Sequence, residues 1–87
     1  MRDLLITPQF EKDLKKISLK VRSQTDEIIK RLRRNPIDSS IARKKLHGFE
    51  PALWRVRIGP HRLVYSFTKT MLVLHRIRHR KDIYRDL

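Results

Sequence analysis

The sequence contains no cysteine, which excludes disulfides and thiolate-held metal. Its two glycines stand apart, so no glycine-rich loop is available to cradle a phosphate. No cluster of His, Asp and Glu has metal-ligand spacing, and no metal or other cofactor is expected. No apolar run approaches the roughly 20 residues that a membrane-spanning helix needs. The opening MRDLLITPQFEKDLKK has too short an apolar stretch for a signal peptide, and acidic residues where none are wanted. The expectation is a soluble, cytoplasmic protein with no membrane partner. Acidic residues are scarce as well: 9 Asp and Glu stand against 22 Lys and Arg, a formal charge of +13. A magnitude of about 2–8 is enough to keep a small domain soluble.

Such an excess points to nucleic acid, an anionic membrane surface or an acidic protein as partner. The membrane is the weakest of the three, because the basic residues are not confined to one amphipathic helix. Many fall on expected strands. From Trp54 to Tyr84 nearly every second residue is apolar, with Arg and His rich in between. Trp54, Val56 and Ile58 alternate with Arg55 and Arg57. Beyond Gly59-Pro60, Leu63, Tyr65 and Phe67 alternate with Arg62, Val64 and Ser66. A third run carries Met71 through Ile77. Period-two alternation makes strands with two unlike faces. One can bury, and the other presents a row of guanidinium groups suited to a polyanion.

The 87 residues make one domain, 1–87, near the small end of what folds alone. Two layers around a single core are expected. Asp3–Thr7 reads as a first strand. Thr7-Pro8 is a helix start, since Thr caps free amides and Pro is tolerated at the first helical position. Phe10, Leu14 and Ile17 follow at helical spacing. Ser18 caps a second helix, Leu19 to Arg34, whose apolar stripe is Val21, Ile28, Ile29 and Leu32 with Thr25 beside it. Asn35-Pro36 stops it. Lys44–His47 is a short strand, and three longer ones follow. The plan is α+β, β-α-α-β-β-β-β: a small twisted, mostly antiparallel sheet with an N-terminal αα-hairpin on one face. The opposite face is expected to be open and basic.

Three motifs then resemble a known family, the RelE/ParE superfamily of type II toxin–antitoxin toxins. They are the opening strand followed by T-P-x-F-x-x-D-L at Thr7–Leu14, W-R-V-R-I-G-x-x-R-L-V-Y at Trp54–Tyr65, and H-R-K-D-I-Y at His79–Tyr84. The resemblance implies the same sheet-and-hairpin fold and one of two activities. RelE-like members are ribosome-dependent endoribonucleases (mRNA interferases) that cut mRNA in the ribosomal A site and so inhibit translation. ParE-like members inhibit DNA gyrase and lack the nuclease residues. A third possibility is an inactive relative that only binds nucleic acid or antitoxin. The implied partners are a cognate RelB-like, acidic antitoxin, the ribosome and mRNA. The interferase pattern falls on Arg55 and Arg57 before the glycine turn, Arg62 after it, and His79, Arg80 and Tyr84 near the end. The spacing before the tyrosine varies in the family, leaving Arg78 as a second choice for the role given to Arg80.

Cleavage of this type uses the ribose 2′-OH as nucleophile and needs no metal. One group takes a proton, one gives a proton, and the phosphate's extra charge must be stabilised. Arg57, Arg62 and Arg80 suit the last task, since guanidinium is always charged and grips phosphate with two donors. Proton transfer is left to His79, Tyr84, His75 and His61, with His79 preferred and Tyr84 orienting the nucleotide or sharing the transfer. Arg55, Arg78 and His61 are assigned to RNA binding. Plainer readings stand beside these. Arg55 and Arg57 also fit the solvated face of an amphipathic strand. Trp54 and Tyr65 fit the core, and His75 fits a structural role inside its apolar run. The cations of Lys20–Arg34 fit a solvated helix face.

Overall fold

The elements of the computed structural model, which describes residues 1–83, are β1 (Asp3–Ile6), α1 (Pro8–Leu14), α2 (Leu19–Arg34), β2 (Arg43–Leu46), β3 (Leu53–Ile58), β4 (His61–Phe67) and β5 (Met71–His79). Both helices begin where the sequence places caps. The Thr7 hydroxyl accepts from the Phe10 amide at 3.2 Å, and Ser18 accepts from Val21 at 3.2 Å. α2 buries Thr25, Ile29 and Leu32, and half-buries Val21 and Ile28. Thr25 fits this apolar stripe because its hydroxyl donates to the Val21 carbonyl one turn back, at 2.8 Å.

The sheet order is β1-β5-β4-β3-β2. β2 to β5 run antiparallel to their neighbours, and β1 adds to β5 in parallel, so the sheet is mixed. The parallel edge follows from connectivity: α1 and α2 carry the chain away before it returns to the sheet. β2 begins one residue earlier than the sequence pattern indicates, and β5 continues two residues beyond Ile77. Gly59-Pro60 closes the β3–β4 hairpin as a two-residue loop, with Gly59 at φ 57° in the first central position where only glycine is unstrained.

α1 lies against β5 and α2 against β3. Between helices and sheet sit Phe10, Leu32, Val56, Leu63, Tyr65, Leu72, Leu74 and Ile77, all nearly inaccessible. Full burial of side chains of this size stabilises by about 1.5–3 kcal/mol each before entropy is charged against it. Tyr65 brings a polar atom into this layer and satisfies it by donating to the Pro36 carbonyl at 2.8 Å. Burial pushes its phenol up to about 12.

The opposite face departs from the expectation of an open basic surface at two places. Val64 and Ser66 alternate onto it, yet both are buried. Ser66 is covered in part by His75, whose Nε2 lies 2.7 Å from the hydroxyl. After β5 the chain turns through Arg80–Ile83, and Ile83 is fully buried outside the central cluster.

A register shift between Val64 and Tyr65 places Arg76 opposite Val64 and Leu74 opposite Tyr65, leaving His75 as an extra residue in β5. Past Leu74 the outer edge of β5 has no strand beside it, because β1 ends at Ile6. α1 takes over that role. The Thr7 hydroxyl, with its one proton, lies 3.0 Å from both the Leu74 and His75 carbonyls. Asp13, 3% exposed, accepts from the Ile77 amide at 3.1 Å and from Arg76 at 2.8 and 3.0 Å. Removing one member of a buried, hydrogen-bonded ion pair leaves a charge and an amide unpaired. Asp13→Ala is therefore expected to cost about 3–5 kcal/mol in urea unfolding. Asp13→Asn, which keeps an acceptor for Ile77, should cost less. A loss below about 1 kcal/mol for Asp13→Ala, the scale of an exposed pair, would contradict this assignment.

Candidate active site

Residues directly across neighbouring strands share a face, so the register fixes which side chains assemble. Arg57 pairs with Arg62 and Arg62 with Arg78, giving three arginines side by side across β3, β4 and β5 on the face turned from the helices. Arg55, two residues along β3, lies on the same face opposite Val64. The Arg62 guanidinium is fixed by its own turn: Nη1 donates to the Gly59 carbonyl at 3.1 Å and to that of His61 at 2.9 Å. Like charges in direct register repel and destabilise a bare sheet. Side by side on one face, they concentrate positive charge around the anchored Arg62.

The next row is different in kind. Ile58 pairs with His61 and His61 with His79. By alternation these residues turn toward the helix side, at the end of the sheet. The two imidazoles meet edge-on, with centroids 5.8 Å apart. They line a cavity of about 290 Å³ together with Asp13, Lys16, Ile17, Ile77, Arg78 and Asp82. Burial, then the neighbouring His79 and Arg62, holds His61 below the usual histidine range, so it is neutral at pH 7. Its Nδ1 is buried without a hydrogen-bond partner. His79 Nδ1 accepts from the Lys81 amide at 3.2 Å, so the neutral ring carries its proton on Nε2.

The sequence-derived site is thus divided. Arg57 and Arg62 come together with Arg55 behind them. Arg78, not Arg80, completes the row, because β5 runs to His79 and the alternation favours position 78. Arg80 is exposed in the following turn, and its amide donates to the Pro60 carbonyl at 2.9 Å. His79 joins His61 around the end of the sheet from the arginines. Tyr84 lies outside the described residues. Trp54 belongs to the rim of the core, with Phe67 at 6.3 Å and the Arg43 guanidinium 5.1 Å above its ring. Among the described residues no three His, Asp or Glu side chains are arranged to hold a metal. Sequence reasoning missed Lys16 and the part played by Asp13. The motif T-P-x-F-x-x-D-L contained Asp13, but nothing local shows that its carboxylate reaches β5.

The chain matches the family described as "ParE toxin of type II toxin-antitoxin system, parDE" over residues 4–84. No curated protein matches it significantly in sequence. Among solved structures it resembles the RelB–RelE antitoxin–toxin complex of Methanococcus jannaschii, at 26% identity, TM-score 0.78, covering 92% of this chain and 94% of that one. The Escherichia coli DinJ–YafQ toxin–antitoxin complex is similar at 18% identity and TM-score 0.80, with 95% and 97% covered. The YoeB dimer of Staphylococcus aureus follows at 22% identity and TM-score 0.77, with 90% and 95% covered. The last two likenesses concern the fold.

Two histidines make the structure sensitive to acid. Burial lowers the folded-state pKa of His75, as it does that of His61, below the ordinary histidine value of about 6.5. Between the folded and unfolded values the unfolded chain binds more protons, so stability falls as pH drops through about 6.5 and is fully present above it. The melting temperature is expected to decrease between pH 7.5 and 5.5. His75→Gln, which retains a partner for Ser66, should reduce that decrease. A fall of equal size in the variant would remove His75 from the account.

Proposed function

We infer function from one premise: the chain belongs to the ParE toxin family of type II toxin–antitoxin systems. We propose that it is a ribosome-dependent endoribonuclease that cuts mRNA by attack of a ribose 2′-OH, and that an acidic antitoxin holds it inactive. The observation carrying this reading is the row Arg57–Arg62–Arg78 with His61 and His79 in the row beside it. The arginines supply charge for a phosphate passing through a pentavalent, doubly charged arrangement. Arg62, already tied to the turn carbonyls, needs little reorganisation to do so. His61, neutral at pH 7, is suited to take the 2′-OH proton. His79, with its proton on Nε2, is suited to donate a hydrogen bond to the departing 5′-oxygen, which takes its proton from solvent. An RNA strand crossing the end of the sheet at Gly59-Pro60 would meet the guanidinium groups on one side and the imidazoles on the other. Arg55 extends the cationic face behind the scissile position, and Arg80 stands at its exit.

The antitoxin follows from the family and from charge. The Methanococcus and Escherichia relatives are complexes with antitoxins. A surface of +13 favours an acidic partner. The family match also favours a second reading, gyrase inhibition without cleavage, which requires neither the histidine pair nor the 2′-OH.

Mapping mRNA 5′ ends in growing cells after induction separates the two. Arg62→Ala should reduce cleavage by about 10²–10³-fold, as for loss of one oxyanion donor. His61→Ala should reduce it by about 10²–10⁴-fold, the range of a general base, and His79→Ala by about 10²–10³-fold, the loss of one donor to developing charge. No new 5′ ends with the wild-type protein, together with inhibition of supercoiling by purified gyrase, would replace this proposal with the second reading.

A further inference from the structure

The basic face has a second row beside the first. Lys44 pairs with Arg55 across β2 and β3, one strand further out than the arginine row and on the same face. Two like charges in direct register cost stability in a bare sheet. Lys44, Arg55 and Arg57 line a groove of about 170 Å³ with Ala42 and Arg43. The two larger cavities contain carboxylates, Glu27 in one and Asp13 and Asp82 in the other. The lining of this groove contains none. The guanidinium of Arg43 is committed elsewhere, to the Ile37 carbonyl at 2.8 Å and the ring of Trp54. Arg55 keeps its Nε out of solvent without an acceptor in the protein.

We propose that Lys44 and Arg55 form a second phosphodiester seat for single-stranded RNA, beside the arginine row on β3 and reaching out to β2. The proposal rests on the RNA-cleaving reading and deepens it. Arg57 lines the groove and also belongs to the row, so a strand seated in one is continuous with the other. Along β3, Arg55 and Arg57 are separated by two residues, about 6.8 Å, within the span of one extended nucleotide. The seat contacts backbone only, so it sets the register of the strand and carries no base preference. Lys44 is a positioning residue here, supplying a compact charge at the sheet edge, while Arg55 supplies a planar donor group.

The test is the salt dependence of binding to a 2′-O-methyl oligonucleotide. That probe cannot be cleaved by 2′-OH attack, so binding is read apart from chemistry. Each phosphate contact to a single strand adds about 0.7 to the log–log slope. The double variant Lys44→Gln, Arg55→Gln removes one seated phosphate and should therefore lower the slope by about 0.7, and the gap to wild type should close about 2.6-fold between 50 and 200 mM salt. Its melting temperature should be equal or higher, since a repulsion is relieved. Lys20→Gln, Arg22→Gln, on the exposed side of α2, should leave the slope unchanged. An unchanged slope in the first variant overturns the seat even if wild type cleaves mRNA. An equal decrease in the α2 control also overturns it, because the effect would then be net charge alone. If the slope holds while affinity for the acidic antitoxin falls, the groove belongs to the protein partner and the proposal fails. If the predicted slope change appears in a protein that cuts no message, the seat stands and the nuclease reading falls.

Discussion

The carboxylate of Asp13 holds the molecule together at its weakest place. The sheet needs a partner for β5 beyond Leu74, and β1 is too short to provide one. Asp13 reaches from the last turn of α1 to accept the Ile77 amide and both sides of the Arg76 guanidinium. A single side chain thereby closes an open edge, fixes α1 against β5 and stabilises the irregular stretch at His75 and Arg76. Such a pair is costly to bury and more costly to break. It is maintained because one carboxylate satisfies three donors.

The functional surface depends on that irregularity. The extra residue in β5 shifts the alternation, so that Leu74 and Ile77 both face the core although they are three apart. Downstream of the shift Arg78 falls in line with Arg57 and Arg62. Without it the strand would present Ile77 in the arginine row and turn Arg78 inward. The fold accepts an irregular edge and repulsion between neighbouring guanidinium groups, with Arg62 anchored to the turn carbonyls. Asp13 also lines the histidine cavity, so the group that secures the scaffold borders the groups assigned to proton transfer.

The two faces carry different side chains, and Arg78 borders both the arginine row and the histidine cavity. The sheet twists charge onto one side and apolar bulk onto the other, and the Gly59-Pro60 turn is where they come closest. Arg62 is bonded to the turn itself, and the next residue back, His61, points around the end. Alternation thus places a fixed cation and a neutral imidazole on consecutive residues. Of the histidines the sequence offered for proton transfer, His61 and the preferred His79 meet edge-on, while His75, which also fitted a structural role, is bonded to Ser66.

Much of this was legible in one dimension. The caps at Thr7 and Ser18, both helix starts, the end of α2 at Arg34, the three long strands and the glycine turn all follow from local rules, because caps, period and turn chemistry act over a few residues. So does the cationic face of β3. What local rules do not carry is register. Whether Arg78 or Ile77 stands opposite Arg62 depends on one extra residue in β5, and the stretch just after it is held by Asp13, 64 positions from Ile77. Lys44 gains meaning only when it is set opposite Arg55. Composition and alternation decided that this would be a small basic α+β domain with one cationic strand face. The long-range closure of the β5 edge decided which cations stand together, since strand pairing is a contact between distant segments and no short stretch of sequence encodes it.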